Sequence, residues 1–200
     1  MFIPNIDQYR IILASQSPRR QHLLKEIGLD YELKLKEFVD ESYPDNLVKE
    51  EIPLFIAKKK ASVFNSELKP NEILITADTI VWLNGKVLQK PTDFDDAIRI
   101  LKEISGNCHQ VYTGVCLKTC NRETCFSACT DVYFKKLSDQ EINYYIHQFK
   151  PFDKAGAYGI QEWIGYIGVE KINGSFFNVM GLPIQKLYTA LNDFINHKNT

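Results

Sequence analysis

The stretch Ile73-Leu74-Ile75-Thr76-Ala77-Asp78-Thr79-Ile80-Val81-Trp82, followed by Leu83-Asn84-Gly85, decides the fold class. It is almost wholly apolar, as a strand covered on both faces must be, and so predicts a central position in a sheet. Asn84-Gly85 is a strong hairpin signal, because both residues accept the positive φ angles of a two-residue turn. Upstream, Ile11 to Ser15 reads as a short strand, with Ser17 as N-cap and Pro18 as first residue of a helix stopped by Gly28. Tyr31 to Lys36 alternates as a strand, and Leu47 to Phe64 has helical spacing with Ala57, Ala61 and Phe64 on one side. Downstream, Thr92 and Asp95 open a helix to about Ile104, and Val111 to Lys118 and Thr124 to Phe134 form a second hairpin around Asn121-Arg122-Glu123. Ser138 with Glu141 forms a capping box for a helix to about Gln148. A Gly-punctuated stretch, a strand near Ile164 to Ile172 and a helix from about Leu182 to Ile195 complete the chain. Strands interleaved with helices and two hairpins predict an α/β fold with a mixed central sheet flanked by helices. No linker or repeat divides residues 1–200, so a single domain is expected.

Composition narrows the function classes. The 24 Lys and Arg nearly cancel the 25 Asp and Glu, leaving a net charge of -1, which argues against coating nucleic acid or an anionic membrane. No run approaches the roughly 18 apolar residues of a membrane span. The start of the chain has no basic n-region, so a cytoplasmic protein without membrane or nucleic-acid partners is the expectation. The five cysteines fit reduced thiols better than a secreted disulfide framework. A turn at 121–123 would pair Cys120 with Cys125 and Cys116 with Cys129, two pairs about 13 Å apart at ~3.3 Å per residue. One zinc ion cannot collect all four. Small strand residues are the expected role, and a labile cross-strand disulfide is the alternative.

Three segments break local rules, as functional segments tend to. In Leu13-Ala14-Ser15-Gln16-Ser17-Pro18-Arg19-Arg20 a strand runs into a helix N-terminus beside two hydroxyls and two guanidiniums, a combination suited to phosphate. Its alternative is a well-capped helix with solvated arginines. Neither a Walker loop nor a Gly-x-Gly-x-x-Gly motif occurs. The second is Asp78, a carboxylate within an apolar run, costly unless paired, hydrogen-bonded or bound to metal. The hairpin after it carries Lys90, which either returns over the sheet edge or is solvated. The third is Pro151-Phe152-Asp153-Lys154-Ala155-Gly156-Ala157-Tyr158-Gly159-Ile160-Gln161, where two glycines within four residues permit close backbone approach to a ligand and Gln161 offers both donor and acceptor to a base edge. An ordinary surface turn is the competing reading. If these segments converge, Arg19, Arg20, Lys60, Lys90 and Lys154 neutralise a polyphosphate, while Glu41 and Asp78 hold Mg²⁺ and activate water.

The segments Ala14 to Arg20, Ala77-Asp78-Thr79-Ile80-Val81, Leu88-Gln89-Lys90-Pro91, Leu101 to Gly106, His109 to Val115, Asp153 to Gln161 and Asn173-Gly174-Ser175 through Gly181-Leu182-Pro183 occur in the order of one family's motifs. Over nearly its whole length the chain resembles the Maf family of nucleoside triphosphate pyrophosphatases. The resemblance implies an elongated fold shared with inosine-triphosphatase-like enzymes, an active-site cleft, a homodimer and a divalent cation, Mg²⁺ or Mn²⁺. It further implies hydrolysis of a nucleoside triphosphate to the monophosphate and pyrophosphate, with Asp78 as general base. Arg19, Thr79 and Gln161 match the trio of the dTTP/UTP-preferring subfamily, where the 7-methyl-GTP subfamily has Trp, Gln and Glu. Ser15, Arg20, Glu41, Lys60, Lys90 and Lys154 also fall on the family's site positions. The rival expectation, a nucleotide-binding regulator of septum formation with little catalysis, would be marked by loss of the carboxylates, and both Asp78 and Glu41 are present.

Overall fold

A computed structural model describes residues 2–37 and 39–196. In chain order the elements are β1 (Arg10–Leu13), α1 (Pro18–Glu26), β2 (Glu32–Leu33), α2 (Glu51–Ser62), β3 (Glu72–Leu83), β4 (Lys86–Leu88) and α3 (Phe94–Ile104). There follow β5 (Cys108–Lys118), β6 (Glu123–Phe134), α4 (Asp139–Phe149), α5 (Trp163–Gly168), β7 (Val169–Asn173), α6 (Phe176–Met180) and α7 (Ile184–Asn196). Among the described residues, seven strands form one sheet in the order β2-β1-β3-β5-β6-β7, with β4 paired to β3. β1 is parallel to β2 and β3, whereas β3–β4 and β6–β7 are antiparallel, so the sheet is mixed as expected. Asn84 (φ 51°) and Gly85 (φ 80°) make the β3–β4 turn with the left-handed backbone that a two-residue hairpin demands.

The chain divides into two compact units, one comprising residues up to Asp78, 113–128 and from Gly181, the other 79–112 and 129–180. In the first, Ile12 of β1, Leu74 of β3, Ala57 and Ala61 of α2, Phe64, Leu68 and Cys116 form a buried cluster. The alanines let α2 lie close to the strands. Closer still is Gly114 of β5, where a Cβ would sit 2.4 Å from the Pro53 carbonyl. In the second unit, Ile100, Leu101 and Ile104 of α3 and Ile142, Tyr145 and Ile146 of α4 are buried. The rings of Phe134, His109 and Tyr158 meet with centroids 5.2–5.7 Å apart. The buried Asn178 amide donates to the Val111 carbonyl and to Thr130 Oγ1, both at 3.0 Å.

Several elements depart from the sequence reading for local reasons. Helix α2 starts at Glu51 because Lys49 adopts φ 50°, which a right-handed helix excludes. The N-cap of α3 is Asp93, whose carboxylate accepts the Asp96 N–H at 2.8 Å. The hydroxyl of Ser17 does not cap α1; Ser15 Oγ instead accepts the Ser17 N–H at 3.3 Å. The segment expected as a strand from Ile164 is helical to Gly168. Gly165 lies so near the Ile160 carbonyl that a Cβ would stand 1.8 Å from its oxygen, a tight turn that only glycine allows. The β5–β6 turn also shifts. Thr119 N–H donates to the Arg122 carbonyl, while the Thr119 hydroxyl accepts from the N–H groups of Asn121 and Arg122. The loop is therefore Cys120-Asn121, which sets Cys116 opposite Cys125 rather than Cys129. The capping box at Ser138 and Glu141 is present as read.

Candidate active site

In the first unit the site grows from one buried hydrogen bond. Thr76 Oγ1 donates to the Ala57 carbonyl at 2.7 Å, pinning β3 to α2. Two residues further along a strand a side chain returns to the same face, and three further along a helix it does so too. Asp78 and Lys60 are therefore brought together, with Lys60 Nζ 2.8 Å from Asp78 Oδ1 and 2.6 Å from Glu41 Oε1. Burial pushes the Asp78 carboxyl above its ordinary range, while the charges of Lys60 and Arg20 act against that rise. Arg20 reaches the same place from α1. Its Nε donates to the Gly181 carbonyl at 2.8 Å and one terminal nitrogen to the Ala77 carbonyl at 2.9 Å and Ser15 Oγ at 3.3 Å. Arg20 thus fixes the backbone immediately before Asp78. Burial lowers its pKa and Asp78 opposes the lowering, but a guanidinium stays charged. Arg19 stands in the first turn of the same helix, half-buried.

The lysine run at 58–60 is sorted by its partners. Lys59 Nζ lies 2.6 Å from Asp40 Oδ2 and 3.0 Å from the Ser42 carbonyl, and so ties down the loop that carries Glu41. These contacts hold the Asp40 carboxyl well below its usual range. Lys59 and Asp40 are site-building residues that the sequence reading missed; the three adjacent lysines gave no signal of which one faced which carboxylate. Glu41 and Asp78 converge on a single cation, the Lys60 ammonium. Two carboxylates gathered at one positive charge are the oxygen donors that Mg²⁺ or Mn²⁺ accepts, its other ligands being water and phosphate. These residues fit a divalent ion.

In the second unit, Lys154 is buried, with Nζ 2.6 Å from Asp153 Oδ1 and 3.2 Å from Glu162 Oε1. Glu162 also accepts a hydrogen bond from the Tyr145 hydroxyl, which in turn accepts the Gly159 N–H at 2.9 Å. Burial and the Glu162 carboxylate drive the Tyr145 phenol above its ordinary pKa. This network braces the loop 154–161. Gly156 (φ 72°) donates its N–H to the Gln89 carbonyl at 3.2 Å and packs where a Cβ would stand 2.9 Å from Val81. The loop is thereby tied to the residue before Lys90, which is itself exposed. Thr79 is half-buried. Gln161 Oε1 is buried with no hydrogen-bond partner. Glu162 and Tyr145 were not legible as site residues, because an acid beside Trp and a tyrosine on an amphipathic helix carry no distinctive spacing.

A separate surface groove of about 490 Å³ in the first unit is lined by Arg122, Phe126, Lys186 and Phe194 among others. It contains none of the site residues read from the sequence.

The family model described as Maf-like protein matches residues 10–194. The chain belongs to the Maf family. This Maf chain is 58% identical over 189 residues to the dTTP/UTP pyrophosphatase of Bacteroides fragilis, covering 94% of its own length and 98% of the relative's. It is 49% identical to the dTTP/UTP pyrophosphatase of Flavobacterium psychrophilum, with 98% and 99% covered, and 46% to that of Porphyromonas gingivalis, with 96% and 98% covered. Among solved structures, a HAM1 protein from Coxiella burnetii matches with TM-score 0.50 over 92% of the Maf chain and 99% of the other, at 16% identity. That likeness speaks for the fold alone, and it agrees with the mixed α/β architecture. No helix among the described residues is long and apolar enough to cross a membrane.

Proposed function

We propose that this Maf protein hydrolyses nucleoside triphosphates, dTTP and UTP in first place, to the monophosphate and pyrophosphate. The observation that carries the reading is the buried Asp78 carboxylate, held at 2.8 Å by Lys60 and backed by Arg20. Within the Maf family, and beside relatives named for dTTP and UTP, that carboxylate has a role as base. Water attacks the α-phosphorus and gives its proton to Asp78. The bond from that phosphorus to the bridging oxygen breaks, and pyrophosphate leaves with the electron pair. Ser15, Arg19, Arg20, Lys60, Lys90 and Lys154 bind the phosphates and stabilise the developing charge. A divalent cation, Mg²⁺ or Mn²⁺, held by Glu41 and Asp78, would neutralise phosphate oxygens.

Thr79 and Gln161 orient the base. The unsatisfied buried oxygen of Gln161 supports that role, because the N3–H of uracil or thymine is a donor of the kind it lacks. We further infer that the chain works over its whole length as one pyrophosphatase domain, in the cytoplasm, as a homodimer. The test is a nucleotide panel with Mg²⁺ or Mn²⁺ that follows pyrophosphate and phosphate separately. Release of phosphate without pyrophosphate overturns the proposed bond cleavage. Tight binding of UTP without turnover would favour the nucleotide-binding regulator instead.

A further inference from the structure

The shifted β5–β6 turn has a chemical consequence in the first unit. With Thr119 and Arg122 as the residues flanking the Cys120-Asn121 loop, Lys118 stands opposite Glu123 and Cys116 opposite Cys125. The Lys118–Glu123 ion pair at 2.8 Å agrees with that register. Counted from the hydrogen-bonded pair at the turn, Cys116 and Cys125 occupy a non-hydrogen-bonded position, where opposed Cα atoms lie about 4.5 Å apart. That spacing is within the range a disulfide spans, roughly 4.4 to 6.8 Å. The two sulfurs and a Glu123 carboxylate oxygen lie within 4.8 Å of one another.

The same three ligand atoms raise the question of a metal ion, and their surroundings answer it. Glu123 is already paired with Lys118, and the charge of Lys58 also acts on Cys125. Two ammonium groups beside the three ligand atoms disfavour a further cation, and Lys58 favours a thiolate at Cys125 against the opposing charge of Glu123. The thiols are unequal. Cys116 is fully buried in the cluster with Ala57, Ala61 and Phe64, while Cys125 is half-buried and packs against the edge of that cluster. The hydrogen bond between the two sulfurs lowers the pKa of Cys125 against burial and against the Glu123 carboxylate, to which the Cys125 S–H donates at 3.8 Å, and together with burial it raises that of Cys116. An accessible thiol that ionises first, next to a buried thiol within bonding reach, is the arrangement of a redox-sensitive pair.

We propose that Cys125 and Cys116 are a modification site, oxidised by hydroperoxides to a cross-strand disulfide. The Cys125 thiolate attacks the peroxide, the O–O bond breaks, and Cys125 sulfenic acid and an alcohol or water result. Cys116 then attacks the sulfenic sulfur, the S–S bond forms, and hydroxide leaves with the Cys116 proton as water. Two thiols lose two electrons and two protons, and the hydroperoxide is reduced. Because Cys116 is held by its core neighbours, closing the bond moves the less buried Cys125, and the fold is retained.

The test treats the full-length reduced protein with equimolar hydrogen peroxide, blocks remaining thiols with N-ethylmaleimide and measures mass. The expected product is about 2 Da lighter before blocking and has two fewer maleimides. Trypsin cuts at Lys102, Lys118, Arg122 and Lys135, so the product links peptide 103–118 to peptide 123–135. The link persists in Cys108→Ser and Cys129→Ser, which assigns it to Cys116 and Cys125, and it is lost in Cys125→Ser. Cys116→Ala, which keeps a small apolar group in the core, leaves a Cys125 sulfenic acid that dimedone traps. A link that survives Cys125→Ser, or oxidation confined to the exposed Cys108 and Cys120, overturns the proposal. None of these readouts depends on nucleotide hydrolysis, so the site stands or falls apart from the proposed activity.

Discussion

Acidification should cost this protein stability through one residue, His109. Its side chain is 1% exposed, its Nε2 shares a 2.7 Å hydrogen bond with the Tyr158 hydroxyl, and Nδ1 has no partner. An imidazolium needs acceptors for both N–H groups, and this niche offers one. Burial accordingly drives the pKa from 6.5 to about 4 in the folded protein. The sign follows from linkage. Between these values the unfolded chain takes up the proton before the folded one, so stability is fully present above pH 6.5 and is lost as the pH falls towards 4. At ~1.36 kcal/mol per unit, the loss from pH 7.5 to pH 5 is on the order of 2 kcal/mol. For a chain of this size that corresponds to a fall of roughly 4–8 °C in Tm.

Carboxylates also titrate in this window, so the comparison must be a difference. Urea unfolding of the natural protein and of His109→Gln is followed at both pH values. The variant keeps a polar group near Tyr158 but does not titrate. Whatever its absolute stability, the stability of the natural protein minus that of the variant should fall by about 2 kcal/mol on acidification. Parallel pH profiles would show that His109 is protonated in the fold as readily as in the unfolded chain, and the burial argument would fail.

Asp78→Asn keeps the shape of the site while removing the proton acceptor, so kcat should fall about 10²- to 10⁴-fold with UTP binding retained by calorimetry; a nearly unchanged kcat excludes Asp78 as base. Gln161→Glu removes the amide N–H donor and sets a negative charge at a half-buried position, and kcat/KM for UTP should drop roughly 10- to 100-fold. Equal values before and after would remove Gln161 from base recognition. Gly114→Ala forces a methyl to within 2.4 Å of the Pro53 backbone, and since backbone cannot step aside as a rotamer does, denaturant unfolding should show a loss of about 3 kcal/mol or failure to fold. A variant as stable as the parent would mean that α2 and β5 are not packed as closely as described.

How much of this was legible beforehand depended on whether the deciding interaction was local. β3 was readable because an apolar run ending in Asn-Gly states both burial and turn. The Ser138–Glu141 capping box was readable because both partners lie within one turn. Asp78 stood out because a carboxylate in an apolar strand demands a partner. What failed turned on side chains choosing between adjacent options. The Thr119 hydroxyl moved the β5–β6 loop to Cys120-Asn121 and so changed which cysteines meet. Lys49, with no composition signal, set the start of α2. The short α6 is held by the bonds of Asn178 to Val111 and Thr130, distant in sequence, and periodicity over the five or six residues of α6 and of the helix at Trp163 cannot separate helix from strand. The distances around Asp78 could not be read at all, because they depend on the pairing of β3 with α2 through Thr76.

Two of the three lysines expected at the phosphates, Lys60 and Lys154, share a feature that net charge conceals. Lys60 has one carboxylate partner 52% exposed, Glu41, and one 12% exposed, Asp78. Lys154, in the other unit, likewise has Asp153 at 59% and Glu162 at 19%. An exposed ion pair contributes about 0–1 kcal/mol, whereas breaking a buried one costs about 3–5 kcal/mol. If each lysine binds phosphate as proposed, a phosphate group displaces the exposed carboxylate at small cost, while the buried carboxylate keeps the ammonium in place. Asp153→Asn should then change KM for UTP by less than about 5-fold. Glu162→Gln, which also disturbs the Tyr145 contact that braces Gly159, should reduce kcat/KM by about 100-fold or more. Similar effects from the two variants would refute the division, since both carboxylates touch the same ammonium and differ chiefly in their access to water.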